Sequence, residues 1–289
     1  MSRRLVGVVL VDERGWMLLQ ERDENAPVNP DRWSLVGGGV EDGESADDAA
    51  LRELAEETEV TGVALTRVDT YAYPCEGCDD ESHETSLYLA LTDLTDADVV
   101  CHEGRRIVFV DPRTVATLPW SRSLVHALPR VASHPAYVER FGRPEPHAFG
   151  CVILVDAQGR ILLQERDEHA PIDPERWGLS GGHLEPGEDP LDGAYREVEE
   201  ETGVRLPPGT LEHFETFEVF HPAYGSVDQV HVYVARVDLT DGDIDCREGR
   251  QIVFVEATRA RTLDLTMTGV LAVPAFLDSD AYARLTAGR

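Results

Sequence analysis

The sequence predicts an α+β protein built twice over, each half a mixed β-sheet flanked by helices. Three observations predict this. First, QERDENAP at 20–27 recurs as QERDEHAP at 164–171, and the offset of 144 holds without a gap from Asp12/Asp156 through Trp33/Trp177 to Val60/Val204. Second, EGRRIVFV at 103–110 matches EGRQIVFV at 248–255, and Ala136-Tyr137 near the end of the first half matches Ala281-Tyr282. A period this long is a whole domain and not a solenoid unit. Third, each half carries short apolar runs of strand length together with stretches bearing helix-start signals. The expected domains are 1–142 and 148–289, joined by a linker at 143–147 whose Pro144 and Pro146 deny both helix and sheet.

The elements follow in the same order in each half. Apolar runs at 5–11 and 16–20, and at 149–155 and 161–164, read as paired strands joined at Arg14-Gly15 and Gln158-Gly159. A polar loop leads to a helix at 45–58 and 189–202. Ser45 and Asp189 suit the N-cap, Pro190 suits the first helical position, and Asp48 and Asp192 favour the positive helix end. Further strands are expected near 64–73, 85–92 and 105–110, and near 212–220, 228–238 and 250–256. A C-terminal helix closes each half, at 121–132 and 267–277.

Composition narrows the function classes. Hydrophobic residues make up 42% of the 289-residue chain and charged residues 28%, ordinary for a folded protein with two cores. The formal charge of −29 argues against a surface that grips nucleic acid or an anionic membrane, which needs clustered Lys and Arg. A polyanionic small molecule still binds an acidic protein when a metal ion neutralises the contact. The apolar run at 6–11 is too short to span a bilayer. Five unevenly placed cysteines (Cys75, Cys78, Cys101, Cys151 and Cys246) make no disulfide framework, so a reducing cytoplasm is expected.

The chemistry concentrates on the first helix of each half. Glu53, Glu56 and Glu57, and again Glu197, Glu200 and Glu201, stand at i, i+3 and i+4, so each set shares a helical face. Like charges there repel, and a cation relieves them. Carboxylate oxygens suit Mg²⁺ or Mn²⁺. Arg52 and Arg196, four residues before Glu56 and Glu200, are placed to orient a carboxylate. A solvated acidic face is the bland reading of such a pattern. It is outweighed by recurrence at constant offset and by the preceding loops, Gly38-Gly39-Val40-Glu41-Asp42-Gly43-Glu44 and Gly182-His183-Leu184-Glu185-Pro186-Gly187-Glu188.

Loop and helix together resemble the Nudix box: glycine, five residues, glutamate, seven residues, Arg-Glu, an aliphatic, one residue, Glu-Glu, one residue, glycine, an aliphatic. Residues 182–204 match it at every fixed position (Gly182, Glu188, Arg196, Glu197, Val198, Glu200, Glu201, Gly203 and Val204). Residues 38–60 match at Gly38, Glu44, Arg52, Glu53, Leu54, Glu56, Glu57 and Val60, with Glu59 in place of the glycine. That position follows the helix, where a left-handed cap costs a glutamate about 1 kcal/mol. No metal ligand is lost, so the first half is expected to be impaired at most.

The resemblance implies two α/β/α sandwiches that hydrolyse nucleoside diphosphate derivatives (triphosphates, nucleotide sugars or dinucleotides) with Mg²⁺, for which Mn²⁺ can substitute. It implies that Glu53, Glu56, Glu57, Glu197, Glu200 and Glu201 hold the metal. Glu44 and Glu188 support the box loop or the metal shell, Arg52 and Arg196 fix carboxylate geometry, and Gly38 and Gly182 form the substrate loop. Glu103 and Glu248 stand where some members carry the general base, or are exposed turn acids. Since many single-domain members pair, the resemblance also implies an internal pseudo-dimer, with room for a further homodimer.

Other marks are less specific. Trp33 and Trp177 either stack a base or belong to the core, the commoner fate, and Tyr71, Tyr73, Phe217 and Phe220 share that ambiguity. Cys75 and Cys78 with His83 are as a set better read as loop thiols than as zinc ligands, since the second half lacks them. A ligand sensor would be expected to add a basic helix-turn-helix, and no basic segment exists. A prenyl diphosphate isomerase would need a reactive cysteine, and Cys151 falls in an expected core strand.

Overall fold

The computed structural model describes residues 3–73 and 83–287; Cys75 and Cys78 lie outside them. The chain divides into two compact units, Met1–Pro144 with Pro222–Gly225, and Glu145–His221 with Ser226–Arg289. Each contains a mixed sheet.

In the first unit β1 (Arg3–Val11) is the central strand. Its Val-rich sequence is buried from Val6 onward, as expected of a strand covered on both faces. β2 (Met17–Glu21) and β3 (Trp33–Ser34) continue the sheet on one side of it. Helix α1 (Ala46–Thr58) follows, then β4 (Thr66–Tyr73), β5 (His83–Leu91) and β6 (Arg106–Val110). The order is β3-β2-β1-β5-β4, with β6 on β2, and β1 runs parallel to β5 from Arg3↔His83 to Val11↔Leu91. Ala49, Ala50 and Leu54 of α1 pack into the core with Val6, Val8 and Leu10 of β1. Helices α2 (Arg122–Ala132) and α3 (Pro135–Phe141) close the unit.

The second unit repeats the plan with β7 (Ala148–Val155), β8 (Ile161–Glu165), β9 (Trp177–Gly178), β10 (Ser180–His183) and α4 (Pro190–Thr202). Next come β11 (Glu212–His221), β12 (Ser226–Arg236) and β13 (Gln251–Val255). Helices α5 (Ala257–Ala260), α6 (Met267–Leu277) and α7 (Asp280–Thr286) end it. The order is β11-β12-β7-β8-β13, and β12 runs parallel to β7.

Three details depart from expectation. The first two strands of each half touch only at the base, Val11↔Met17 and Val155↔Ile161, because further along the same edge is taken by the loop before the box: Val36 and Gly39 bridge to Val8 and Leu5 of β1, and Ser180–His183 pairs with β7. Part of the polar loop after the hairpin pairs as short strands: Trp33 with Glu21, and Ser180–His183 with β7. Each unit also ends in a short extra helix, α3 or α7. These explain the matching tails: Tyr137 Oη donates to the Gly15 carbonyl at 3.4 Å, and Tyr282 Oη to the Gly159 carbonyl at 2.8 Å, tying the last helix to the first turn. Trp33 and Trp177 are buried, the core reading. Among the described residues no helix is long and apolar enough to cross a membrane.

Candidate active site

The helical period decides what each glutamate of α1 meets. Ala50, Leu54 and Glu57 follow one another along the buried stripe, so Glu57 continues the core face with only 5% of its surface exposed. Glu201 is its equal at 5%. Glu53 and Glu197 are partly covered, whereas the side chains of Glu56 and Glu200 are about 60% exposed. The three carboxylates are thus graded in depth and do not form one exposed row.

Arg52 braces this face. Its Nε and Nη2 donate to the two oxygens of Glu44 at 2.9 and 3.0 Å, Nη1 donates to Glu53 at 2.9 Å and Glu56 at 3.1 Å, and Nη2 also donates to the Gly39 carbonyl at 2.9 Å. Arg196 repeats every contact, to Glu188 at 2.9 and 2.8 Å, Glu197 at 2.7 Å, Glu200 at 3.1 Å and the His183 carbonyl at 3.0 Å. Both oxygens of Glu44 and Glu188 are therefore engaged by a guanidinium, which holds these carboxyls down to about 2, the backbone N–H of Glu41 or Glu185 adding to it. The same guanidinium ties them to the loop carbonyls of Gly39 and His183. The loop comes close because it is glycine there: a Cβ on Gly38 or Gly182 would stand 2.6 Å from a carboxylate oxygen of Glu53 or Glu197.

Glu103 and Glu248 reach the site through the helix C-terminus. The orphan carbonyls of Glu57 and Thr58 accept from the backbone N–H groups of His102 and Val100 at 3.0 and 3.1 Å. Those of Glu201 and Thr202 accept from Arg247 and Asp245, both at 2.9 Å. Gln20 Nε2 donates to Glu57 at 3.2 Å and to the Glu103 carbonyl at 3.3 Å; Gln164 Nε2 donates to the Glu248 carbonyl at 3.3 Å.

The result is a cluster of acids that cannot all ionise easily. Burial, then the charges of Glu103 and Glu53, pushes the Glu57 carboxyl up to about 8. Burial, then Glu248 and Glu197, does the same to Glu201. Glu53 and Glu197 are also raised, first by burial, against the lowering pull of Arg52 and Arg196. In the first unit Glu53, Glu57 and Glu103 share the wall of a cavity of about 270 Å³ with Arg3, Arg22 and Arg122. Tyr73, His83 and Thr85 are on the same wall. A wider depression of about 800 Å³ past the end of α1 is lined by Glu59, Asp93 and Asp98 and by none of the metal-face glutamates.

Conserved geometry in both units has a counterpart in sequence: the NUDIX domain profile matches residues 1–129 and 144–268. The chain belongs to the Nudix family. It is 34% identical over 114 residues to a CMP-5'-(N-acetyl-N-hydroxy-3-aminopropyl)phosphonate hydrolase of Streptomyces rubellomurinus, covering 39% of this chain and 52% of that one. It is 46% identical over 71 residues to an RNA pyrophosphohydrolase of Dinoroseobacter shibae, covering 24% of this chain and 40% of that one. The chain thus spans about half or less of the length of these two relatives. A solved MutT protein of Methanosarcina mazei Go1 aligns with 21% identity and a TM-score of 0.38, covering 47% of this chain and 98% of that one. Nudix proteins typically depend on a divalent metal.

Several residues around the box were not singled out by sequence. Arg22, Arg3 and Arg122 are brought to the cavity by strand pairing and by the closing helix, and Gln20 meets Glu57 from behind it. For Gln20 and Arg22 a signal existed, since both fall in the repeated QER segment. Cys151 is buried beside Glu201 and Glu197, and burial first, then those charges, pushes its thiol up to about 12, which leaves it inert as a nucleophile.

Proposed function

We propose that each half hydrolyses the diphosphate linkage of a nucleoside diphosphate derivative by attack of water on phosphorus, with Mg²⁺ as the cation and Mn²⁺ able to replace it. The observation that carries this reading is the pair of buried glutamates, Glu57 and Glu201, each pushed up to about 8 inside a cluster of further carboxylates. An all-oxygen donor set that repels itself when ionised fits a hard divalent cation.

Glu53, Glu56 and Glu57, and Glu197, Glu200 and Glu201, are the residues that would hold it. When bound, the cation supplies neutralisation of the phosphate oxygens and makes water a stronger acid. The chain's own groups do the rest. Arg52 and Arg196 hold two carboxylates of each set and the box loop in one geometry. Glu103, with its side chain 56% exposed and Arg22 Nη2 at 3.8 Å, accepts the proton of the attacking water; Glu248 has that role in the second half. Arg3, Arg22 and Arg122 receive the negative charge of the substrate. The products are a nucleoside monophosphate and a second phosphorylated group. Both relatives named above act on nucleotide-containing phosphorus compounds, which supports the same chemistry here.

The test is turnover of a panel of nucleoside triphosphates, nucleotide sugars and dinucleotides with Mg²⁺, read as released phosphate products. The doubly substituted Glu57→Gln, Glu201→Gln chain is expected to lose activity by at least about a thousandfold. Unchanged turnover in that variant refutes the assignment; tight nucleotide retention without any product marks the protein as a binder.

A further inference from the structure

In each half one buried amide stands between the acidic helix and the loop of Glu103 or Glu248. Gln20 and Gln164 hold the same place in the repeated QER segment, on β2 and β8, and each is 1% exposed. An amide nitrogen carries two donors, and Gln20 directs both at the site. One meets the Glu57 carboxylate at 3.2 Å and the other the Glu103 carbonyl at 3.3 Å. Gln20 Oε1 accepts from Arg22 Nη1 at 3.3 Å. A guanidinium only donates, so Arg22 decides which end of the amide faces the acids.

The loop is fastened around that amide. The backbone N–H of His102 donates to the Glu57 carbonyl at 3.0 Å, that of Arg105 to the Glu21 carbonyl at 2.8 Å, and the Cys101 thiol to the Glu103 carbonyl at 3.2 Å. Arg247, Arg250 and Cys246 repeat these contacts in the second half, at 2.9, 2.8 and 3.3 Å. The halves part at one bond. Gln164 Nε2 donates to the Glu248 carbonyl at 3.3 Å, while its Oε1 is buried without a hydrogen-bond partner among the described residues. Glu201 is held by the Gly181 N–H at 3.1 Å. Glu57 has the matching Gly37 N–H and the Gln20 amide besides.

Resting on the hydrolase reading above, we propose that Gln20 and Gln164 are positioning residues for the reaction. Each fixes the distance between the helix that would hold the cation and the loop that carries the general base. Gln20 also orients the Glu57 carboxylate, since its N–H holds one oxygen and leaves the other for the cation. Hydrogen-bond partners behind a metal-binding carboxylate set metal affinity, and a base moved out of line loses rate without losing substrate. Gln164 therefore governs rate alone. Gln20 governs rate and metal affinity together.

The experiment uses the full chain with one half silenced at a time, Glu201→Gln when the first is read and Glu57→Gln when the second is. Gln20→Met and Gln164→Met keep the length of the side chain and remove its hydrogen bonds. Gln20→Asn and Gln164→Asn, one methylene short, take their place where they do not fold. The probes are Mn²⁺ alone and the nucleotide panel above. Both methionine variants are expected to lower kcat by at least about tenfold, with KM held within about twofold. In calorimetry Gln20→Met weakens Mn²⁺ binding by about tenfold, whereas Gln164→Met changes it by less than about twofold. In EDTA, hydrogen exchange of the His102 and Arg105 amides in Gln20→Met quickens by about tenfold, as does that of Arg247 and Arg250 in Gln164→Met. Unchanged kcat and exchange overturn the proposal. So does an equal loss of Mn²⁺ affinity in both halves, the mark of a core that has merely loosened. If the unsubstituted chain turns over nothing in the panel while the Mn²⁺ difference and the exchange hold, the hydrolase reading falls and the clamp on the acidic face stands.

Discussion

Glu57 and Glu201 carry a pH dependence whose sign follows from their position. An ordinary glutamate titrates near 4.5, and in the folded, cation-free chain these two are pushed up to about 8 by burial first and neighbouring acids second. The folded state therefore binds their protons more tightly than the unfolded state. The resulting stability is fully present below the unfolded value and is lost as pH rises through the folded one. Thermal unfolding in EDTA should show Tm falling between about pH 5 and about pH 9, and Glu201→Gln should flatten that fall. Adding Mn²⁺ should raise Tm more at the alkaline end, with protons released on binding below about pH 8. A Tm that rises with pH in EDTA contradicts the burial assigned to these side chains. The three-glutamate face was legible from spacing alone, but the depth grading was not, because it depends on which turn of the helix meets β1 or β7.

At the scale of the element, two features invite substitution. Glu59 caps α1 in the left-handed region (φ 58°), as Gly203 caps α4 (φ 69°), and the Glu59 carboxylate meets His102 Nε2 at 2.8 Å. That exposed pair recovers little. Glu59→Gly is expected to stabilise the first unit by about 0.5–1 kcal/mol, and Gly203→Ala to destabilise the second by about 1 kcal/mol, both read from urea unfolding. Arg196 spans loop and helix through its guanidinium fork, a geometry lysine cannot reproduce. Arg196→Lys should weaken Mn²⁺ binding in the second half by about 10–100-fold in calorimetry, and unaltered affinity would remove the brace from the account. The helices themselves announced their limits through Ser45, Asp189 and Pro190. The short strands β3 and β9 and the helices α3 and α7 did not, since their stability comes from partners far along the chain, such as Gly159 for Tyr282.

For the whole molecule, the repeat predicts two complete sites, and each unit builds its own box, brace and Glu103 or Glu248 loop from its own residues. Glu57→Gln and Glu201→Gln taken singly should leave activities that sum to that of the parent chain for any substrate both halves accept. A single substitution that abolishes all turnover would instead make the halves interdependent. The box motif placed the glycine, glutamates and arginine of each candidate site. Arg3 and Arg122 could not be placed so, because no local pattern marks them.

What the sequence determined by itself was the duplicated α+β plan, the box and the carboxylates on it, since these rest on local periodicity and on identity at a fixed offset. Tertiary structure alone decided that Glu57 and Glu201 are buried, that Glu44 and Glu188 are locked to arginine, and that Arg3, Arg22 and Arg122 share a cavity wall with Glu53, Glu57 and Glu103. The physical reason is common to all three: burial and charge proximity are set by residues a parallel strand or a docked loop brings together, and sequence distance does not record them.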